Sequence, residues 1–243
     1  MAGQEITTLV NAMTFMGAGI AMGFGAVGAG AGEGLTAALA VKGMARQPRV
    51  QGELLRTMLL GQALTESPSI FALMVALMMI FSGEKAATLS QAAAMIAAGV
   101  SVGFSAICSG VGTGLVSATA CRSIARQPEV GGRISGIMLL GQAVDTSPSV
   151  FGFIIALLLI IQPQEIDSLP RAAALLGAGV AMSIGTLGSG LAIGWIASRA
   201  CTFVGYRPAV AGLVTRTMLL GGAIAETLGI FSFVVALLLL STT

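Results

Sequence analysis

The sequence predicts an all-α membrane protein whose six transmembrane helices form three tandem helical hairpins. Of its residues, 56% are hydrophobic and only 9% are charged, whereas soluble domains average about 25% charged residues. Six apolar stretches are each longer than the ~20 residues that span a hydrocarbon layer. No stretch has the alternating pattern of barrel strands, and helices satisfy their own backbone hydrogen bonds in lipid. The six stretches lie at residues 7–41, 54–81, 88–120, 134–161, 172–201 and 213–240.

The hairpins are predicted from a pattern that returns every 80 residues. An Ala-Arg-Gln-Pro motif at residues 45–48 is repeated at 125–128, and a degraded Gly-Tyr-Arg-Pro copy stands at 205–208. A Met-Leu-Leu-Gly segment follows each copy at the same distance. A fixed period indicates one structural unit present three times. The resulting division is hairpin 1 at residues 1–83, hairpin 2 at 84–163 and hairpin 3 at 164–243.

The two helices of each hairpin differ in composition. The first helix carries a small residue at every second to fourth position, most densely at Gly28, Gly30, Gly32 and Gly34. Glycine lets helix backbones approach closely in lipid, where van der Waals contact drives helix association. The second helices carry bulkier Leu, Ile, Phe and Met. We therefore expect the first helices to form a tight inner cylinder and the second helices to lie outside it.

The cationic residues indicate the orientation of the chain in the membrane. Ten of the twelve Lys and Arg residues lie around the three loops that join the helices within each hairpin. Only Lys85 and Arg171 lie at the opposite end. The positive-inside rule places the Arg/Gln/Pro loops in the cytoplasm. Both termini, and the links that carry Glu84 and Glu165, would then lie outside.

Four acidic residues fall inside the predicted spans, namely Glu33, Glu66, Asp145 and Glu226. A charge at the bilayer centre costs about 2.5–3.5 kcal/mol on insertion scales, so acids there are functional candidates by default. Glu66 and Glu226 occupy the same repeat position, near the middle of a second helix. Glu33 lies midway along its first helix, and an antiparallel hairpin brings it level with Glu66. These acids are the predicted ion-binding residues.

Taken together, these motifs resemble the c subunit of rotary F-type ATP synthases. The resemblance rests on the glycine-rich helix, the Ala-Arg-Gln-Pro loop, the Met-Leu-Leu-Gly-Gln-Ala segment and the intramembrane Glu, and it covers essentially the whole chain. It implies a homo-oligomeric c-ring that rotates in membrane lipid against a stator a subunit. Each carboxylate would bind one H⁺ or Na⁺, carry it past lipid and release it near a stator arginine, coupled to ATP synthesis or hydrolysis.

The resemblance also implies where the protein lies and what it contacts. We expect an integral protein of a prokaryotic plasma membrane, with no cofactor and no nucleic-acid partner. The chain would be a non-catalytic subunit, because no nucleotide-binding loop follows a strand in it. Its loops would contact the central-stalk subunits of the soluble ATPase head. The loop residues implied are Arg46, Gln47, Pro48, Arg126, Gln127, Pro128, Arg207 and Pro208.

Hairpin 2 departs from the family's pattern. Thr146 stands where Glu66 and Glu226 stand in the other hairpins, and Asp145 is displaced by one residue, about 100° around the helix. Either Asp145 is a shifted third site, with Gln142 and Thr146 beside it, or hairpin 2 carries no exchangeable ion. We favour the second hypothesis, because a shift of one residue turns the carboxyl away from the helix face that carries the other ion-binding carboxyls. Fewer ions per turn would suit an ATP-driven pump better than a synthase.

The transported ion stays open between H⁺ and Na⁺. Hydroxyl residues directly follow both glutamates, as Ser67 and Thr227. The family's sodium-transporting members use such a hydroxyl with a first-helix Gln or Glu, which Glu33 matches. Na⁺ takes several oxygen ligands, so a sodium site at Glu33, Glu66 and Ser67 is one hypothesis.

Other positions favour H⁺. Phe71 and Phe231 stand where sodium-transporting members usually have Tyr. Ile193 replaces Glu33 in hairpin 3, so Glu226 lacks an oxygen from its first helix. One ring should move one ion, and a lone carboxylate needs only a proton. We therefore favour H⁺, with Glu33 sharing a proton with Glu66 as a further alternative.

Two other residue types lie close to the acids. Gln62 and Gln142 precede the acidic position by one helical turn and are predicted to orient a carboxyl, although Gly222 replaces them in hairpin 3. Pro68 and Pro148 follow that position and each remove one helix hydrogen bond, which predicts a kink.

Two competing functions remain open. A V-type or A-type proteolipid would share the fused hairpins and a missing carboxylate, whereas the Ala-Arg-Gln-Pro loops favour the F-type. A non-rotary transporter or a structural membrane protein is a more distant alternative. Transporter repeats usually have inverted topology and interrupted helices, and these hairpins are parallel and uninterrupted.

Overall fold

The computed structural model describes residues 2–81, 88–162 and 168–241. Six helical segments in these ranges are long and apolar enough to cross a membrane, which confirms the predicted all-α fold of three hairpins. The described residues do not include Glu84, Lys85, Glu165 or the two ends of the chain. The side of the membrane on which these residues lie stays a prediction. The helices are α1 (Ala2–Arg46), α2 (Gln51–Phe81), α3 (Leu89–Arg126), α4 (Gly131–Asp145), α5 (Ser147–Ile161), α6 (Leu169–Tyr206) and α7 (Ala211–Ser241).

The helices extend beyond the apolar spans that the sequence predicts. The 45 residues of α1 correspond to about 68 Å at 1.5 Å per residue, roughly twice the thickness of a hydrocarbon layer. Hydropathy marks only the apolar part of a helix. At the loop end, α1 continues through Lys42 as far as Arg46, because exposed cationic residues are compatible with helical backbone.

The loops within the three hairpins have one conformation. The residue before each proline is disfavoured in the α region, and Gln47 accordingly ends the α1 hydrogen-bond pattern with φ −132° and ψ 75°. Proline then begins a short 3-10 turn, since its fixed φ suits the first position of a helix. The three turns are Pro48–Val50, Pro128–Val130 and Pro208–Val210.

The helices lie in two layers. In the first layer α1 and α6 pack on opposite sides of α3. In the second layer α2 packs against α1 and α3, the α4–α5 segment against α3 and α6, and α7 mainly against α6. Contacts between neighbours are far more extensive in the first layer than in the second. The layer of glycine-rich helices is therefore the tighter one.

Glycine permits this tight packing by direct backbone contact. Gly114 of α3 lies on Gly32 of α1, and a Cβ on Gly114 would be 2.6 Å from the Gly32 carbonyl carbon. The equivalent residues meet at the next interface, where a Cβ on Gly194 would be 2.8 Å from the carbonyl carbon of Gly112. Each hairpin therefore sits on the preceding one in the same register.

Polar contacts add to the packing between hairpins. The Thr36 and Ser117 hydroxyl oxygens are 2.6 Å apart across α1 and α3, and those of Ser105 and Thr186 are 2.9 Å apart across α3 and α6. At the end opposite the loops, the buried Arg171 donates to the carbonyl oxygen of Leu240 at 2.9 Å. This bond ties the start of α6 to the end of α7.

The two prolines near the acidic position act differently. Helix α2 continues through Pro68 as one helix, whereas the second span of hairpin 2 is divided between Asp145 and Ser147. Around the division, the Ser149 amide donates to the Thr146 carbonyl at 3.1 Å, a tighter turn than that of an α-helix. The division directly follows Asp145.

Candidate ion-binding carboxylates

Glu66 and Glu226 lie at equivalent positions midway along the second-layer helices α2 and α7. Glu66 is exposed and Glu226 is half-buried. The residue before Glu66 points the other way, because Thr65 is fully buried and its methyl group faces Gly32 of α1. The packing of α2 on α1 and α3 thus turns Glu66 away from the first layer.

Glu33 is the partner that α1 brings to Glu66. Its side chain is half-buried, and its carboxyl is close enough to Glu66 for an electrostatic interaction. Two nearby carboxylates in apolar surroundings favour one shared proton or one bound cation. The equivalent positions in hairpins 2 and 3 are Thr113 and Ile193, both buried. Hairpin 1 therefore has two acids at this level, and hairpin 3 has one.

The neighbouring hydroxyls bond within their own helices. Ser67 Oγ donates to the Ala63 carbonyl oxygen at 3.3 Å, and Thr227 Oγ1 donates to that of Ile224 at 2.7 Å. Such bonds are common for Ser and Thr in helices. They use the hydroxyl proton and leave oxygen lone pairs that can still accept a proton or coordinate a cation.

The predicted carboxyl-orienting glutamines instead join helices. Gln62 Nε2 donates to the Glu33 carbonyl oxygen at 3.2 Å, and Gln142 Nε2 donates to the equivalent Thr113 carbonyl oxygen at 3.0 Å. Gln142 Nε2 also reaches hairpin 1, at 3.0 Å from the Gly61 carbonyl oxygen. Both amides therefore hold a second helix to its own first helix.

Asp145 differs from the two glutamates in its surroundings. It is fully buried, and neither carboxyl oxygen has a hydrogen-bond partner among the described residues. The carboxyl faces the first layer, where its carbon would be 2.9 Å from a Cβ on Gly112. Thr146, at the position of Glu66, is half-buried and donates to its own helix at the Gln142 carbonyl oxygen. Hairpin 2 thus presents no outward carboxyl at this level.

The loops form a continuous cationic end of the molecule. Arg126 Nη1 donates to the Tyr206 hydroxyl at 2.6 Å, and the Arg126 guanidinium carbon lies 5.4 Å from the centre of the Tyr206 ring. Tyr206 stands where Arg46 and Arg126 stand in the other hairpins. From the sequence alone, Tyr206 is only part of the degraded Gly-Tyr-Arg-Pro motif. The interaction could have been inferred from an aromatic residue aligned with two arginines in adjacent repeats.

Comparison with known proteins identifies one family. The model of the ATP synthase C-subunit family matches residues 16–79, 96–159 and 176–239. The ATP synthase c subunit of Natranaerobius thermophilus is 49% identical over 74 residues, which is 30% of this chain and 85% of that protein. The chloroplastic ATP synthase c subunit of Porphyra purpurea is 47% identical over 70 residues, 29% of this chain and 85% of that protein. Each relative is therefore about as long as one hairpin.

The burial of the three acids predicts different reactivities toward a hydrophobic carbodiimide, which modifies protonated carboxyls. Glu66 and Glu226 should be labelled in the folded protein, with Glu66 at least as fast because it is more exposed. Asp145 should be labelled only after denaturation, because its carboxyl is inaccessible. Mass-spectrometric mapping of native and denatured samples measures this. Labelling of Asp145 in the folded protein at the rate of Glu66 would contradict the inward orientation.

Proposed function

This chain belongs to the family of ATP synthase c subunits, and from that premise we propose that it is the ion-carrying rotor component of a rotary F-type ATP synthase or ATPase. The observation that supports the proposal most is the equivalent placement of Glu66 and Glu226. Both lie midway along apolar helices, where the side chain of Glu66 is exposed and that of Glu226 is half-buried. A carboxylate that faces hydrocarbon must be neutralised by a bound ion, so each acid serves as a carrier.

Release of the ion needs a change of surroundings, which rotation supplies. A cation on the stator a subunit favours the charged carboxylate over the ion-loaded form. The bound ion would leave the carboxylate beside this stator cation. Another ion would bind after Glu66 or Glu226 has moved past the cation. The membrane potential contributes about 2.3 kcal/mol per charge for each 100 mV. Torque then arises from the return of each neutralised acid to lipid.

Two faces of the chain support closure into a ring. Gly19, Gly23, Gly30 and Gly34 of α1 have open space where a Cβ would stand. Their equivalents in α3 are packed against hairpin 1, as Gly114 is against Gly32. Hairpin 3 has an open face as well. Gly188 of α6 has open space where a Cβ would stand, with no neighbour there among the described residues.

The second-layer helices also have repeat positions that are packed between hairpins and uncovered at the outer face of hairpin 3. Phe71 stacks on Phe153 with ring centres 5.2 Å apart, and the equivalent Phe151 packs on Phe233 at 5.3 Å. Phe231, the third copy of Phe71, is 64% exposed. A second copy of the chain would place its hairpin 1 against hairpin 3 and cover both Phe231 and the open glycines. Head-to-tail contacts of this kind generate rings when the rotation closes.

We infer two exchangeable carriers per chain, because Asp145 is enclosed and Thr146 carries no charge. In the ring, Glu226 of one copy and Glu66 of the next would occupy adjacent hairpins. Hairpin 2 would separate each such pair. This spacing lowers the number of ions moved per turn, which suits an ATP-driven pump. A V-type or A-type proteolipid is the second candidate, supported by the same missing carboxyl.

We propose H⁺ as the transported ion, with Na⁺ as the alternative. The site at Glu226 has few oxygen ligands, since the buried Ile193 that stands in place of Glu33 is apolar and supplies none from the first helix. Glu33 and Glu66 would share one proton. The positive-inside rule places the loops in the cytoplasm, where the exposed Arg46 and Arg126 would meet the central stalk.

Replacement of one carrier tests the rotor function. Glu66→Gln cannot bind and release an ion, so ATP-driven ion transport by the reconstituted complex should fall by more than about tenfold. Glu5→Gln is the matched control, because Glu5 is an exposed acid near the N-terminal end of α1. Ion flux into vesicles measures the effect. Transport by Glu66→Gln equal to that of the control would contradict a carrier role.

The proposed ring interface is tested by a bulky residue on the open face of α1. Gly30→Leu should leave the helicity of the chain unchanged and prevent closure of the ring. Gly136→Leu is the control, since Gly136 also has open space and aligns with Arg56 and Arg216 in the other hairpins. Native mass spectrometry reports the assembly state. A complete ring formed by Gly30→Leu would rule out this interface.

The ion is tested by competition with the carbodiimide. If H⁺ is transported, millimolar Na⁺ at fixed pH should leave the labelling rate of Glu226 unchanged, because a bound proton keeps the carboxyl reactive. Potassium at the same ionic strength is the control. Protection of both Glu66 and Glu226 by Na⁺ alone would instead make this a sodium rotor.

A further inference from the structure

A cationic cleft lies between α3 and α6, on the first layer and near the loops. Its volume is about 590 Å³, and the described residues that line it all belong to these two helices. Three of them are arginines and none is acidic. The arginines are Arg122, Arg126 and Arg199. The cleft therefore carries positive charge that its own lining does not neutralise.

Arg199 lies inside an apolar span. It falls within residues 172–201, which the sequence predicts to cross the membrane. It follows Ile193, the repeat equivalent of Glu33, by six residues, or about 9 Å at 1.5 Å per residue. Half of a hydrocarbon layer is about 15 Å, so a cation at this depth needs an anionic partner. The long arginine side chain can reach the headgroup region, where lipid phosphates are available anions.

The residues that hairpin 3 contributes to the cleft differ from their repeat equivalents. Trp195 stands where hairpins 1 and 2 both have Leu, and Arg199 stands where they have Leu and Thr. The chain has one Trp and one Tyr, and both line this cleft, as Trp195 and Tyr206. Trp and Tyr are enriched where a membrane meets water. The equivalent cleft between α1 and α3 is smaller, about 250 Å³, and its described lining contains no aromatic residue.

An exposed apolar stripe on α6 runs from the cleft toward the middle of the membrane. Ile184, Leu191 and Trp195 are all exposed. They precede Arg199 at successive spacings of seven, four and four residues, which places all four on one helix face. Ile184 and Arg199 are about 22 Å apart along the helix at 1.5 Å per residue, more than the depth of one hydrocarbon leaflet, about 15 Å. The stripe is therefore long enough for an acyl chain whose headgroup lies in the cleft.

A second copy of the chain would not neutralise the cleft. In the ring proposed above, α1 of the next copy would lie beside α6. The α1 residues that line the equivalent cleft between α1 and α3 include Leu39, Lys42 and Arg46. These residues bring further cations and no acid, so the anion has to come from outside the protein.

We propose that the cleft binds the phosphate group of an anionic phospholipid, with Arg122, Arg126 and Arg199 as its ligands. Guanidinium groups form paired, charge-assisted hydrogen bonds with phosphate, and basic clefts between membrane helices suit anionic headgroups. The Tyr206 hydroxyl, 2.6 Å from Arg126 Nη1, holds Arg126 across the cleft. Trp195 and the apolar stripe then receive an acyl chain. The bound lipid joins hairpin 2 to hairpin 3, and it has no part in carrying ions.

The single tryptophan allows binding to be measured at the cleft itself. The full chain is reconstituted in phosphatidylcholine vesicles that contain an increasing fraction of a lipid with brominated acyl chains, since bromine quenches tryptophan at short range. Brominated phosphatidylglycerol should quench Trp195 at a membrane fraction at least about fivefold lower than brominated phosphatidylcholine, the preference expected from one arginine or more. Equal quenching by the two lipids would overturn the proposal.

An arginine variant with a matched control tests the ligands. Arg199→Leu introduces the residue that hairpin 1 has at the same repeat position, Leu39, so the helix should fold normally. Its preference for phosphatidylglycerol should fall by about fivefold. Arg216→Leu is the control, because Arg216 is an exposed arginine of α7 outside the cleft, and its preference should equal that of the wild type. An equal loss in both variants would indicate general attraction to the membrane surface and contradict a site.

A free anion distinguishes the lipid from its phosphate group. Millimolar inorganic phosphate should leave the quenching by brominated phosphatidylglycerol unchanged, because free phosphate gains nothing from the apolar stripe. Displacement of the lipid by phosphate would assign the cleft to a free anion and contradict the proposal. These measurements need no stator, ATPase head or ion flux, so their failure is distinguishable from failure of the rotor function.

Discussion

The contact of glycine backbones between the first helices is the constraint on which the other features depend. Where Gly114 lies on Gly32 and Gly194 lies on Gly112, neither helix can rotate without placing a side chain against a backbone. This contact sets the register of each hairpin on its neighbour. The second helices then pack against these fixed first helices, and the direction of every side chain on them is determined. Close backbone approach is the main packing mechanism available to helices in lipid.

The direction of the acids follows from this register. Glu66 is exposed, whereas Thr65 and Asp145, which share the preceding repeat position, are fully buried against glycines of the first layer. One residue therefore separates an accessible carboxyl from an enclosed one. Glu66 is exposed and Glu226 is half-buried, whereas Asp145 is fully buried. The same rotation of about 100° per residue that exposes Glu66 turns Asp145 into the packing between helices.

Much of this arrangement could be predicted from the repeats. The equivalence of Glu66 and Glu226 and the close packing of the glycine-rich helices follow from residues that recur at one period. The surroundings of Asp145 could not, because its carboxyl packs on Gly112 of α3, which also contacts Gly194 of the next hairpin, and both glycines are distant from it in sequence. The division of the helix at Thr146 was not predicted either. Pro68 and Pro148 have the same local sequence context, Ser-Pro-Ser, and yet α2 remains continuous. The two residues before this shared context differ, since Thr65-Glu66 precede Pro68 and Asp145-Thr146 precede Pro148 at the equivalent positions.

The most direct test of this account is the number of ions moved per revolution, divided by the number of chains in the ring. Native mass spectrometry counts the chains, and ion flux measured alongside the rotation of the reconstituted complex gives the ions per turn. We expect two ions per chain, carried by Glu66 and Glu226. Three ions per chain would show that hairpin 2 exchanges an ion at Asp145, and the division into outward carriers and an enclosed acid would be wrong.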